Sequence, residues 1–182
     1  RQVTAEGETR PLPSPFFVIA TQNPAHQIGT FPLPESQLDR FLMRIELGYP
    51  DHHAERALLA SENPRDRLGS LPAELTPEGI LLLQRAVAEI HVSPALIDYV
   101  QSLVEQTRRH PEFMHGLSPR AALGLLAAAR AWAFIHQRTM VLPEDIQAVL
   151  PAVAMHRLPR VQGSGHANAE DIAAVIRNTP IP

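Results

Sequence analysis

Three helix-start signals constrain the fold of this 182-residue chain more than any other part of its sequence. Thr76-Pro77, Ser93-Pro94 and Ser118-Pro119 each place a hydroxyl side chain at the N-cap and a proline at the first helical position. Apolar residues then recur at spacings of three and four in the first two helices: Ile80, Leu83, Val87 and Ile90, followed by Leu96, Val100, Leu103 and Val104. Because each of these helices carries one apolar stripe, the second part of the chain is predicted to form a helical bundle.

The predicted bundle has further members. The helix that begins at Ser118 runs to about Arg138 and is apolar on nearly every side, which indicates the centre of the bundle. Residues 51–60 predict an earlier helix, and residues 169–177 predict a short last one. Residues 143–157 predict another helix, which Pro151 kinks or interrupts. Its inward residues are predicted to be Ile146, Val149, Leu150 and Val153.

The first fifty residues show strand patterns instead. Residues 2–5 and 9–12 flank a three-residue connection that contains a glycine, which predicts a β-hairpin. The apolar run over residues 16–20 predicts a parallel strand covered on both faces, and residues 43–47 alternate as a second strand. These strands are too few to form a covered sheet by themselves. The predicted fold is therefore mainly α with a partial α/β segment, with domains over residues 1–50 and 51–182.

Two polar residues in this first segment are candidates for a site. Asn23 follows the predicted buried strand, and ligands of open α/β sheets bind beyond the carboxyl ends of the strands. Residues 34–42 predict a short helix with Leu38 and Phe41 on one side and Arg40 on the other. The ordinary interpretation of Arg40 is a solvated charge or a partner for a nearby carboxylate.

Arg120 is a third candidate, because it occupies the second position of the helix opened by Ser118-Pro119. A cation there opposes the helix dipole, which favours anions at the N-terminus by roughly 0.3 to 1 kcal/mol. The placement is locally unfavourable unless an anion is bound. Amide donors and a guanidinium group together suit a phosphate, although an arginine lying along the surface is the simpler interpretation.

Composition excludes several classes of chemistry. All 16 cationic residues are arginine, so a P-loop lysine and Schiff-base catalysis are excluded within this chain. The absence of cysteine excludes disulfides, thiolate catalysis and cysteine-ligated metals, and is compatible with a cytoplasmic location. A net charge of -3 predicts no nucleic-acid partner, and no apolar run is long enough for stable membrane insertion. The histidines at 52, 53, 110 and 115 lack helical metal-ligand spacing, so no metal site is predicted.

Asn23, Arg40 and Arg120, in this order and each on the expected element, resemble sensor 1, the arginine finger and sensor 2 of AAA+ ATPases. The MoxR family is the nearest likeness, through VIATQNP, GTFPLPESQLDRF, SPRAALGLLAAARAWA and LPEDIQAVLPAVAMHRL. The resemblance implies that residues 1–50 are the C-terminal part of an AAA+ α/β core and residues 51–182 its helical-bundle lid. Walker A and Walker B motifs are absent from these residues, so the chain alone is expected to be inactive.

The resemblance also implies a mechanism and partners. Asn23 would orient the attacking water, Arg40 would reach into a neighbouring subunit, and Arg120 would bind the γ-phosphate in cis. ATP and Mg²⁺ would be bound mainly by the missing N-terminal half. Members of the family act as homohexameric, chaperone-like remodellers with partners that carry a von Willebrand factor A domain.

Two alternatives stay open from the sequence. One is a noncatalytic helical protein-interaction module, whose strands complete the sheet of another polypeptide. The other is a different AAA+ branch, such as the relatives of magnesium chelatase or replicative helicases. A P-loop lysine upstream of these residues would favour an ATPase over the interaction module.

Overall fold

The computed structural model describes residues 2–22, 33–60, 69, 71–162 and 165–181. A hairpin opens the chain, and helices make up nearly all of the remaining regular structure in the described residues. The elements in chain order are β1 (Gln2–Ala5), β2 (Glu8–Pro11), α1 (Glu35–Leu38), α2 (His52–Ala60), α3 (Pro77–Glu89), α4 (Pro94–Arg109), α5 (Pro119–Ile135), α6 (Pro143–Ala154), a 3₁₀ turn (Met155–Arg157) and α7 (Ala169–Arg177). The prediction of a mainly α fold is confirmed.

The chain divides into two compact units. The first contains residues 1–18 and 45–83, and the second contains residues 19–44 and 84–182. In the first unit, β1 pairs with β2 in antiparallel register from Gln2 opposite Pro11 to Ala5 opposite Glu8. The predicted hairpin is confirmed, but its second strand begins at Glu8 rather than at residue 9, so two residues instead of three connect the strands. The division into domains near residue 50 stays a prediction.

The two further strands predicted in the first segment do not form. Residues 16–20 and 43–47 have no strand pairing, and their large side chains are exposed: Phe17 by 69%, Ile19 by 79% and Leu47 by 93%. A strand is stabilised by hydrogen bonds and contacts with neighbouring strands, and the described residues supply only the β1–β2 pair. The prediction of a covered strand was wrong here, because an apolar run reports a preference for burial but not the presence of a partner.

The second unit contains the hydrophobic core, and helix α5 lies at its centre. Ala121, Leu125 and Ala129 on α5 are inaccessible to solvent, and α6 packs along that helix. The inward residues predicted for α4 and α6 are all buried. In α3, by contrast, the predicted stripe is only partly covered, and Leu83 is among its exposed side chains.

The predicted helix starts are confirmed by their hydrogen bonds. The hydroxyl oxygens of Thr76, Ser93 and Ser118 accept from the amides of Gly79, Leu96 and Ala121 at 3.1, 3.2 and 3.1 Å respectively. Each hydroxyl therefore satisfies one amide that the helix itself leaves without a partner.

Pro151 lies inside α6 without ending it. The helix continues to Ala154 and then tightens into the 3₁₀ turn Met155–Arg157. This turn brings His156 and Arg157 into the interior of the second unit, where both are buried. Among the described residues, no helix has the length and apolar character that crossing a membrane requires.

Candidate functional site

The start of α5 is fixed by the loop that precedes it. The Thr107 hydroxyl accepts from the amide of Leu117 at 3.0 Å and donates to the carbonyl of Val104 at 2.6 Å. The Arg108 Nε donates to the carbonyl of Leu117 at 3.1 Å. A Cβ on Gly116 would lie only 2.4 Å from the backbone nitrogen of Arg108, so the loop can pass here only with glycine.

The carboxylate of Asp39, the residue that follows α1, lies against the start of α5. The Ser118 hydroxyl donates to Asp39, with Oδ1 at 3.0 Å and Oδ2 at 3.1 Å. The Arg120 guanidinium lies 3.4 Å from Asp39 Oδ2, with 61% of its side chain exposed. The negative charge of Asp39 thus offsets the unfavourable placement of the Arg120 cation at a helix N-terminus. At 3.4 Å and with this exposure, the Arg120 contact is weak.

The same carboxylate also pairs with a buried arginine, Arg157. Arg157 Nε donates to Asp39 Oδ1 at 3.1 Å, and only 3% of the Arg157 side chain is exposed. The same guanidinium donates to the carbonyls of Asp39 at 3.2 Å and Leu42 at 3.0 Å, and also to those of Phe41 and Val153. Arg157 therefore joins the end of α6 to the segment 39–42.

Arg40 lies within the segment 39–42 but makes no contact with Arg157. Leu38 and Phe41 are half-buried, whereas Arg40 is exposed, as the sequence predicted, although the helix predicted over residues 34–42 covers only Glu35–Leu38. Its guanidinium has no hydrogen bond or ion pair with any residue that the structure describes. The carboxylates that could have paired with it are engaged elsewhere, because Asp39 binds Arg157 and Glu35 lies 3.1 Å from His115.

His156, which precedes Arg157, contacts the same segment. Its Nε2 lies 3.3 Å from the carbonyl of Phe41, and since a carbonyl can only accept, Nε2 carries the proton. The Nδ1 atom is buried without a partner in the described structure. Burial, followed by the positive charge of Arg157, lowers the pKa of His156 to about 4. Burial also lowers the pKa of Arg157, and Asp39 opposes that shift.

The predicted site residues have different outcomes. Arg40 and Arg120 lie in the same unit, linked through Asp39, and Arg120 is at the second position of α5 as expected. Asn23 lies outside the described residues. Of the four histidines considered as metal ligands, His110 stacks on Phe113, and no group of three possible ligands occurs in the described ranges.

Sequence reasoning missed the roles of Asp39, His156 and Arg157. Arg157 follows Val153 by four positions, so it continues the inward stripe of α6. A charged residue on a core stripe indicates a buried pair, and this signal was available. Its partner is 118 residues away in the chain, and nothing local indicates which carboxylate it is.

These residues fit an anionic ligand such as a phosphate. Arg40 presents a guanidinium with no partner in the part of the chain that the structure describes, and the weakly held Arg120 can leave Asp39 for a stronger anion. Asp39 already occupies an anion position beside Arg120 and Ser118, which shows what charge that position accepts. No lysine or acidic metal-ligand cluster accompanies them in the described residues.

Two family models match the chain. The model of the ATPase family associated with various cellular activities (AAA) matches residues 1–43, and the model of the AAA lid domain matches residues 105–177. Asp39 and Arg40 belong to the first matched segment, whereas Arg120 and Arg157 belong to the second. The ion pair between Asp39 and Arg157 therefore joins the two matched segments.

Similar proteins point in the same direction. The chain is 42% identical over 172 residues to Chaperone MoxR1 of Mycobacterium tuberculosis, covering 87% of this chain and 44% of that protein. It is 35% identical over 161 residues to Protein MoxR of Paracoccus denitrificans, covering 78% of this chain and 47% of that protein. The chain is also 40% identical over 156 residues to the uncharacterized Bacillus subtilis protein YeaC, covering 86% of this chain and 49% of that protein.

A solved structure agrees. A crystal structure of a Cytophaga hutchinsonii protein described as a candidate ATPase superposes with a TM-score of 0.82 at 32% identity, covering all of this chain and 58% of that one. The chain spans about half the length of the relatives it matches. From its two AAA segments and its MoxR relatives, we conclude that the chain belongs to the MoxR family of AAA+ ATPases.

Proposed function

We propose that the protein hydrolyses ATP in a ring of identical subunits and uses the energy for chaperone-like remodelling of partner proteins. One observation carries the proposal more than any other. Arg40 is exposed and has no side-chain partner among the described residues, while Arg157 binds Asp39, Phe41 and Leu42 on either side of it. An arginine presented in this way is suited to contact something outside its own subunit. A ring supplies that contact, because each interface joins the same two different surfaces.

Three residues have roles in the proposed reaction. Arg40 stabilises the charge that develops on the transferred phosphoryl group in the neighbouring subunit, a contribution of roughly 10³ to 10⁵ in rate for other arginine fingers. Arg120 binds the terminal phosphate in exchange for its weak contact with Asp39. Asn23 orients the attacking water. Mg²⁺ bound with the nucleotide neutralises phosphate charge, and residues outside this chain are expected to hold both.

The finer points follow the family resemblance. We propose a homohexamer, a cytoplasmic location and a partner protein with a von Willebrand factor A domain. The name Chaperone MoxR1 of a relative supports the remodelling role. The 182 residues alone are expected not to hydrolyse ATP, because the phosphate-binding lysine is not among them.

The test compares ATP hydrolysis by the full-length wild-type protein and its Arg40→Ala variant over a range of protein concentrations. The expected result is an activity that rises with assembly and that Arg40→Ala lowers by at least a hundredfold, while nucleotide binding persists. Arg109→Ala is the matched control, because Arg109 is also exposed but pairs with Glu105 on its own helix. If Arg40→Ala behaves like this control, the ring mechanism is wrong and the interaction module becomes the better interpretation.

A further inference from the structure

We propose that Arg157 is a positioning residue for Arg40, and that the lid thereby sets the geometry of the arginine that each subunit offers to its neighbour. This inference rests on the proposed function of Arg40. Arg157 itself lies in the interior and is not expected to contact the nucleotide. It acts through the segment on which Arg40 lies.

The contacts of Arg157 lie on both sides of Arg40. Before it, Asp39 accepts through its carboxylate and its carbonyl. After it, the carbonyls of Phe41 and Leu42 accept from the same guanidinium. Of the four residues 39–42, only Arg40 gives no group to Arg157. The backbone on either side is thus fixed, and the Arg40 side chain is left exposed.

Other contacts hold the same segment against the lid. His156, the residue before Arg157, donates to the carbonyl of Phe41, and the amide of Arg44 donates to the carbonyl of Ala152 at 2.8 Å. The Leu42 side chain lies close to Gly124 on α5, where an added Cβ would be 3.2 Å from Leu42 Cδ1. The arginine segment and the lid are therefore expected to move as one body.

A guanidinium is required for this arrangement. Arg157 donates from Nε and from both terminal nitrogens, in a planar fork that reaches acceptors in several directions at once. A lysine retains the positive charge, but its single nitrogen has three donors and cannot reach acceptors this widely spaced. Arg157→Lys therefore keeps most of the charge balance with Asp39 while releasing part of the backbone on which Arg40 lies.

The chain offers a matched control in Arg138. Its guanidinium pairs with the buried carboxylate of Asp145, so it too is an arginine in an ion pair inside the second unit. No contact joins it to residues 39–42 in the described structure. Arg138→Lys should lower stability without changing catalysis, whereas Arg157→Lys should change both.

The first measurement is ATP hydrolysis by the full-length variants. For Arg157→Lys we expect kcat to fall by roughly a hundredfold, the loss typical of a catalytic group misplaced by about 1 Å, with KM nearly unchanged. Arg138→Lys should keep the wild-type kcat. A merely structural role for Arg157 would produce the same kcat for both variants once their folded fractions are matched by circular dichroism.

The second measurement mixes two inactive proteins. An Arg157→Lys subunit has an intact site and a displaced Arg40, while an Asn23→Ala subunit has a disabled site and an intact Arg40. In randomly mixed rings about a quarter of the interfaces pair an intact site with an intact Arg40, so about a quarter of the wild-type activity should return. Mixing Arg40→Ala with Asn23→Ala is the positive control.

The outcomes separate the two proposals. The positioning role presupposes that Arg40→Ala is inactive and that mixing it with Asn23→Ala restores hydrolysis. Given that result, the positioning role is wrong if Arg157→Lys keeps its activity, or if mixing Arg157→Lys with Asn23→Ala restores none. If Arg40→Ala is fully active, the proposed function itself is wrong. Should Arg157→Lys fail to fold, Asp39→Asn tests the same contact from a carboxylate that is 23% exposed, and it should show the same recovery.

Discussion

Protonation of His156 should weaken the fold in acid by an amount that the structure sets. The folded state holds the pKa of His156 at about 4, against an ordinary value of 6.5, because the ring is buried beside Arg157. Because the pKa is lower in the folded state, the unfolded chain takes up a proton first as the pH drops. The free energy of unfolding is therefore highest above about pH 6.5 and decreases below it. The loss continues until the folded state is also protonated, near pH 4.

The linkage relation gives the size of this effect. From about pH 7.5 to about pH 5, the two pKa values imply a loss of about 2 kcal/mol in the free energy of unfolding, to order of magnitude. The assay is urea unfolding at several pH values, followed by circular dichroism, for wild type and His156→Gln. Glutamine can still donate to the carbonyl of Phe41 but does not titrate. Other groups titrate equally in both proteins, so the difference between their pH dependences of the free energy of unfolding is due to His156. Parallel pH dependence in the two proteins would refute the reasoning.

Three other predictions follow from the described contacts. Gly116→Ala should lower the free energy of unfolding by about 2 kcal/mol or more in urea titrations, because its Cβ would overlap the Arg108 backbone; an unchanged midpoint would contradict this. Arg120 contacts the residue beside Arg40, so the structure favours one nucleotide for both arginines over the cis role that the family resemblance implies for Arg120. Mixing inactive Arg120→Ala and Arg40→Ala proteins should then restore no hydrolysis, and recovery would show that Arg120 serves its own subunit. The 182-residue chain alone should self-associate through exposed residues 16–19, and a monomer at every concentration in sedimentation equilibrium would count against this.

The helices could be predicted from the sequence because their signals are local. A hydroxyl and a proline at 118 and 119 satisfy and preorganise the first turn within a few residues, and the structure confirms that start. The stripes of α4 and α6 likewise need only a periodic pattern and a core to face. The exposed position of Arg40 was predictable for the same reason, since it lies opposite Leu38 and Phe41.

The remaining features depend on contacts between distant parts of the chain. Residues 16–20 are apolar enough for a buried strand, yet a strand needs neighbours that the described residues do not supply. Arg157 continues the inward stripe of α6, which indicates a buried pair, but Asp39 has the local pattern of an ordinary charge at a helix end, so the sequence does not identify it as the partner. Their pairing depends on how the 3₁₀ turn after α6 meets the end of α1, which no periodicity encodes.

The pairing of Asp39 with Arg157 has a consequence for protein engineering. A chimera that takes its first segment from one relative and its lid from another would take Asp39 and Arg157 from different parents. A hydrophobic residue in place of Asp39 would leave the buried Arg157 guanidinium without its carboxylate, and one in place of Arg157 would leave the carbonyls of Phe41 and Leu42 without this donor. A chimera is therefore expected to fold when residues 39 and 157 come from the same parent. The crossover point between the parent sequences should be chosen to keep this pair together rather than to follow the boundary between the segments.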